Sequence, residues 1–166
     1  MTLRQLLTGV PLTGGSPDLD MEISSISYDT RTLQPGALFV ALTGDRTDGH
    51  RHIREALDKG AAAVLCQQAP REPGPWLTTG DSRLALALVS ANWFGHPGDS
   101  MTLAAVTGTN GKTTTTNLLK ELLERTAGAK VGLIGTNRNM IGQRELSAHR
   151  TTPESWELQS LLRQMA

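Results

Sequence analysis

Gly108-Thr109-Asn110-Gly111-Lys112-Thr113-Thr114 gathers residue types whose shared chemistry is gripping a phosphate. Glycines let backbone N–H groups close on an anion, and successive N–H groups form a concave nest around it. A lysine at the end of such a loop reaches β- and γ-phosphates, and the hydroxyl that follows it is a ligand for Mg²⁺. The spacing departs from the full G-x-x-x-x-G-K-[S/T] pattern. Position 106 is Val106, and the upstream glycine is Gly108, two residues closer in. A glycine-rich turn that binds nothing is the competing reading. What favours phosphate binding is context: a strand, a glycine turn and a helix in that order. Gly108, Thr109, Asn110, Gly111, Lys112, Thr113 and Thr114 are therefore the candidate cofactor-binding set. Lys112 is the candidate catalytic residue, and Thr113 the candidate metal ligand.

The flanks supply those elements. Leu103-Ala104-Ala105-Val106 is an apolar run suited to a buried strand, and Asn117 to Leu123 has helical spacing. Lys130 to Thr136 reads as a further parallel strand, followed by a loop or hairpin from Asn137 to Arg144. Thr152-Pro153-Glu154 should open a last helix, with Thr152 as N-cap and Pro153 in the first helical position. Upstream, Leu3 to Leu7 reads as a short helix and the Gly/Pro-containing stretch after it as a linker. Weak alternation around Ile23–Ser27 suggests a strand, and Leu33-Gln34-Pro35-Gly36 a turn. Ala37 to Leu42 and Ala61 to Cys66 read as buried strands. Between them a helix from about His50 to Lys59 closes at Gly60. Trp76 to Thr78 suggests a short strand, and Arg83 to Phe94 a helix stopped by Gly95-His96-Pro97-Gly98. The fold class is α/β, with one domain over 1–98 and a second begun over 99–166.

Composition narrows the function classes. Lys plus Arg and Asp plus Glu number 16 each, so no global field draws nucleic acid or anionic membrane. The sole cysteine, Cys66, sits in an apolar run and reads as a small buried hydrophobe. It excludes an internal disulfide and fits a reducing cytosol. No basic, apolar leader opens the chain, and no run approaches the ~20 apolar residues of a membrane span. The expectation is a soluble, cytoplasmic protein. His96 and His149 have no companion ligands at metal spacing.

The wider string Thr107-Gly108-Thr109-Asn110-Gly111-Lys112-Thr113-Thr114 resembles the ATP loop of the Mur ligases, which join amino acids to cell-wall precursors; folylpolyglutamate synthases share a similar loop. A second string looks like the nucleotide-sugar-binding domain of the E- and F-type Mur ligases. It runs from Tyr28-Asp29-Thr30-Arg31 through Pro35-Gly36 and Ala37–Leu42, then Gly44, Asp48-Gly49-His50, Ile53, Ala56 and Gly60-Ala61-Ala62. The resemblance implies that Tyr28 and Thr30 contact a uridine diphosphate group and that Asp45-Arg46-Thr47 is the loop closing over it. By itself, Asp29-Thr30-Arg31 reads first as an Asx turn with an exposed arginine. A third element, Arg150-Thr151-Thr152-Pro153-Glu154, is similar to the E-type Thr-Thr-Pro, which places Thr151 and Thr152 on the muramoyl-peptide. Arg150 stands where many E-type enzymes have asparagine. Thr109 and Gly132-Leu133-Ile134-Gly135-Thr136 also suit the E type.

What the resemblance implies is ATP- and Mg²⁺-dependent amide formation. UDP-N-acetylmuramoyl-L-alanyl-D-glutamate would be activated as an acyl phosphate and joined to meso-diaminopimelate or L-lysine by a cytoplasmic monomer. It covers nearly the whole chain but only about the first third of a family member. Relatives also use a carbamylated lysine, downstream metal ligands and a C-terminal domain. These have no counterpart in the 166 residues, so the expectation is a chain inactive on its own. An F-type ligase and a non-catalytic module that binds UDP-muramoyl-peptides are the alternatives.

Overall fold

The computed structural model describes residues 1–44, 47–71, 73–146 and 152–166. They form two compact units, Met1–Gly95 and His96–Ala166.

In the first unit, helix α1 (Leu3–Leu6) opens on a capping box between Thr2 and Gln5. The strands are β1 (Leu12–Gly15), β2 (Ser25–Ser27), β3 (Ala37–Val40), β4 (Ala63–Cys66) and β5 (Trp76–Thr79). They lie in the order β1-β5-β4-β3-β2. All neighbours are parallel except β1, which runs antiparallel to β5 along the edge. Every residue of β3 and β4 is buried, as expected of parallel strands covered on both faces. On one face Phe39, Val64 and Cys66 pack with Ile53 and Ala56 of helix α2 (Ile53–Asp58). Leu38, Val40 and Leu65 alternate with them and are equally buried. Helix α3 (Ser82–Phe94) follows β5; the Asp81 carboxylate accepts from the N–H groups of Arg83 and Leu84, and Gly95 ends the helix at φ +73°.

Two expectations change here. The segment read as linker contains β1, held to β5 by the register Leu12↔Thr79 and by a Thr13–Thr78 hydroxyl bond of 3.0 Å. A fully exposed Leu-Thr-Gly-Gly strand has no apolar alternation to reveal it. The helix expected over 50–59 begins as a 3₁₀ turn, Gly49–His52, before α2, and Gly60 at φ +89° follows the C-cap Lys59.

The second unit begins with a 3₁₀ turn, Pro97–Ser100, and then holds helix α4 (Lys112–Ala127), strands β6 (Gly132–Ile134), β7 (Asn139–Ile141) and β8 (Arg144–Leu146), and helix α5 (Ser155–Met165). Its three-stranded sheet, in the order β6-β7-β8, is antiparallel throughout. The parallel partner expected for β6 is therefore replaced by its own hairpin neighbour, which needs only a tight turn and no crossover. Leu103–Val106 forms no strand. Among the described residues nothing pairs with it, and Leu103 is 61% exposed. An apolar run becomes a strand only when a neighbour accepts its backbone bonds. The last helix starts two residues later than expected: Glu154 is its N-cap, with extended backbone and no side-chain cap, so Thr152 and Pro153 precede it. Met165 lies against Gly132 on β6, where any Cβ would collide with its side chain.

Candidate functional site

The glycine turn runs directly into the start of helix α4. Helix α4 starts at Gly111, in the left-handed region at φ +79°, with open space where a Cβ would sit. No side chain caps it. In α1, α3 and the 3₁₀ turn at Gly49, Thr2, Asp81 and Asp48 accept the leading N–H groups. Helices α2 and α5 also lack a side-chain cap, but they begin after His52 and Glu154; only α4 among the described α-helices begins at a glycine. The first N–H groups of a helix have no partner within it, so an uncapped start at a glycine turn leaves donors for an anion. Lys112 Nζ donates to Gly108 O at 2.5 Å, folding its charge over the loop. Gly108 through Gly111 are exposed, as are Thr113 and Thr114.

Behind the turn, the first carbonyls of α4 are tied down by side chains. Thr116 Oγ1 contacts Lys112 O at 3.0 Å and Thr113 O at 3.1 Å, and Asn117 Nδ2 donates to Thr113 O at 2.7 Å. Arg138, just before β7, donates to Asn117 Oδ1 at 3.1 Å and approaches Glu145 at 3.6 Å. Thr113, Thr116 and Asn117 border a cleft of about 460 Å³ whose other wall includes Thr136, Arg138 and Glu145. Among the described residues no three His, Cys, Asp or Glu side chains gather as a metal site. The donor set suits Mg²⁺ nevertheless. That ion takes one or two protein oxygens and completes its shell with phosphate oxygens and water, and Thr113 offers one hydroxyl.

In the first unit, Tyr28 is half-buried and Thr30 is 8% exposed. Lys59 Nζ holds this segment, donating to Thr30 O at 2.8 Å and to Glu55 Oε1 at 2.7 Å. The Lys59 ammonium, then the His52 ring and the Thr30 side chain, lower the Glu55 carboxyl to about 2. The Asx turn is formed: Arg31 N donates to Asp29 Oδ1 at 2.9 Å, and the Arg31 guanidinium beside it holds the Asp29 carboxyl below its ordinary range. Arg31 itself stays exposed.

The loop carrying Thr47 leaves β3 and returns through a Thr43↔Asp48 bridge, with Gly44 N donating to Thr47 O at 3.0 Å. Gly49 N then donates to Leu42 O at 2.8 Å. Asp48 accepts from His50 N at 3.0 Å and contacts His50 Nδ1 at 2.7 Å; these two contacts, the backbone one first, lower its carboxyl. His50 Nε2 accepts from Gln67 N at 2.9 Å, so the ring proton lies on Nδ1, facing Asp48. Thr47 and Thr152 are exposed. Asp45, Arg46 and Thr151, with His149 and Arg150, lie outside the described residues.

Within each unit, then, Tyr28 and Thr30 belong to one loop, and Gly108–Gly111 form the turn that leads into Lys112, Thr113 and Thr114 at the start of α4. Sequence reasoning passed over Lys59, Glu55, Asn117 and Arg138. The first three had a signal, i,i+4 spacing between Glu55 and Lys59 and between Thr113 and Asn117. Arg138 had none, since only the hairpin brings it to α4.

A family model described as the Mur ligase family catalytic domain matches residues 22–87, and one for the Mur ligase middle domain matches residues 106–166. The chain is 44% identical over 149 residues to UDP-N-acetylmuramoyl-L-alanyl-D-glutamate–2,6-diaminopimelate ligase of Clostridium botulinum, covering 87% of this chain and 31% of that protein. It is 42% identical to the enzyme of the same name from Syntrophomonas wolfei, covering 98% and 33%. It is 44% identical to a UDP-N-acetylmuramyl-tripeptide synthetase of Roseiflexus sp., covering 100% and 33%. The chain thus spans about a third of the length of these relatives. A solved UDP-N-acetylmuramoyl-L-alanyl-D-glutamate–2,6-diaminopimelate ligase superposes with a TM-score of 0.74 at 22% identity, over 100% of this chain and 33% of that one. A MurF from Acinetobacter baumannii gives 0.59 at 24%, over 98% and 32%. At these identities the superpositions speak for the fold.

Proposed function

Because the chain belongs to the Mur ligase family, whose members are ATP-dependent ligases, we propose that its two units hold the precursor and grip the phosphates in an enzyme that adds a diamino acid to UDP-N-acetylmuramoyl-L-alanyl-D-glutamate. One observation carries the reading: a helix that begins at a left-handed glycine with no side-chain cap, with Lys112 folded over the loop before it. The names of the relatives support diaminopimelate as the first amine to test. The setting is the cytoplasm and the enzyme a monomer; among the described residues no helix is long and apolar enough to cross a membrane.

The chemistry is two displacements. A carboxylate oxygen of the glutamyl end attacks the γ-phosphorus of ATP while the bond to the ADP oxygen breaks, giving an acyl phosphate. The diamino acid's amine then attacks the acyl carbon, phosphate departs with the C–O electrons, and the amine loses a proton. For the first step this chain supplies positioning and charge. Lys112 neutralises charge on the transferred group, and the N–H groups at the start of α4 donate to phosphate oxygens. Thr113 would hold Mg²⁺, which when bound would supply screening of the phosphate charge. Tyr28, Thr30, Asp45, Arg46 and Thr47 hold the UDP end, and Thr151 and Thr152 the muramoyl-peptide.

The test is thermal unfolding of the chain with UDP-N-acetylmuramoyl-L-alanyl-D-glutamate and, separately, with Mg-ATP. A ligand of the folded state stabilises it by about 2.7 kcal/mol at a hundredfold excess over Kd. Tyr28→Ala should abolish the first response and Lys112→Ala the second. A cooperatively folded chain that responds to neither ligand refutes the proposal.

A further inference from the structure

Each peptide plane is rigid, so a bond that fixes a carbonyl also fixes the N–H of the next residue, which points the opposite way. In the first turn of α4 the Lys112 carbonyl carries the Thr113 N–H and the Thr113 carbonyl carries the Thr114 N–H. Both carbonyls are held by side chains: Thr116 Oγ1 contacts Lys112 O at 3.0 Å and Asn117 Nδ2 donates to Thr113 O at 2.7 Å. Asn117 could present its amide either way round, but Arg138 donates to its Oδ1 at 3.1 Å, which turns the Nδ2 toward Thr113. Glu145, at 3.6 Å, contacts the other terminal nitrogen of Arg138 from β8. The line Glu145–Arg138–Asn117–Thr113 runs from the hairpin to the first turn of α4. Chained bonds of this kind polarise one another, so the outer N–H also becomes a better donor.

We propose that Arg138, acting through Asn117, is a positioning residue for the nucleotide: it orients and strengthens the Thr114 N–H as a phosphate donor. Arg138 need not touch the nucleotide to do so. Its planar fork serves Asn117 and Glu145 at once, which the single ammonium of a lysine does with less geometric constraint. The inference rests on the reading of the glycine turn as a nucleotide site.

The experiment measures Mg-ADP and adenosine affinity for the wild-type chain, Arg138→Ala, Arg138→Lys, Asn117→Ala and the double alanine variant. Amide hydrogen exchange over residues 112–117 is followed without nucleotide. Arg138→Ala should weaken Mg-ADP roughly tenfold, about the worth of one hydrogen bond. Adenosine should be unaffected and Arg138→Lys intermediate. Asn117→Ala should lose a similar factor, and the double variant no more than the larger single loss, because both break one line. First-turn amides should exchange faster in each alanine variant. Unchanged Mg-ADP affinity in Arg138→Ala, equal losses for adenosine and Mg-ADP, or losses that multiply in the double variant would overturn the proposal. If the folded wild type binds neither probe, the nucleotide reading fails. The exchange data then judge the line alone: first-turn amides unchanged in Arg138→Ala overturn it, and faster exchange confined to that turn upholds it.

Discussion

Replacing Gly49 with alanine should destabilise the first unit although it adds a single methyl group. That methyl would lie 2.8 Å from Leu42 N, 2.9 Å from Leu42 O and 3.2 Å from Ala41 Cα. All three are backbone atoms of the segment leaving β3, so no rotamer change relieves the contact. The Gly49 N–H bond to Leu42 O at 2.8 Å holds the two segments at that distance. Overpacking of this kind costs about 1–3 kcal/mol, and in a domain of roughly this size each kcal/mol lowers Tm by about 4–8 °C. Gly80→Ala is the control, since nothing lies within 4 Å of a Cβ there; it should be neutral or gain about 0.4–1 kcal/mol through the unfolded chain. The assay is thermal unfolding of the two variants beside the wild type, with and without the UDP-muramoyl-dipeptide. Because Gly49 anchors the return of the loop that carries Thr47, its variant should also lose ligand-induced stabilisation. If Gly49→Ala and Gly80→Ala melt together, the close approach is not a constraint and the argument from it is wrong.

Four further outcomes rest on other residues. The Glu55 carboxyl falls from 4.5 to about 2 on folding, so its ionised form contributes stability fully present above pH about 4.5 and lost as pH falls toward 2; Glu55→Gln should flatten that part of an acid-unfolding curve followed by circular dichroism. Leu6, fully buried, should cost about 2–5 kcal/mol as alanine. Leu118→Gln should stay within about 0.5 kcal/mol by denaturant titration, because Leu118 is 61% exposed on α4. Cys66 is buried and desolvation pushes its thiol up to about 11, so an aromatic disulfide reagent should label it only in denaturant; labelling at the same rate in native buffer would contradict that burial.

How much of this was legible in the sequence depended on where each signal resides. Buried strands β3 and β4 announce themselves as continuous apolar runs, and α3 by its spacing, because burial selects residue type position by position. The glycine turn was legible for a different reason: Gly111 adopts a backbone that other residues resist, and Lys112 and Thr113 bring groups that few alternatives supply. Helix starts were less so. At Thr152-Pro153 the cap residues were present, yet the helix opens only after Glu154, whose backbone is extended. Propensity favours a start without enforcing it.

Strand pairing is where sequence reasoning stopped. Leu103–Val106 has strand-like residues and no strand, while Leu12–Gly15 has two glycines and no apolar alternation, yet pairs with β5. A strand is completed by hydrogen bonds to a neighbour, and that neighbour's identity is a long-range fact. The same holds for the sites. The sequence by itself determined the chemistry available, in Tyr28, Thr30 and the run from Gly108 to Thr114. Only the tertiary structure decided which side chains stand behind them, setting Lys59 on the Thr30 carbonyl and Arg138 on Asn117. Residue type fixes what a group can donate or accept; folding alone fixes the distance at which it does so.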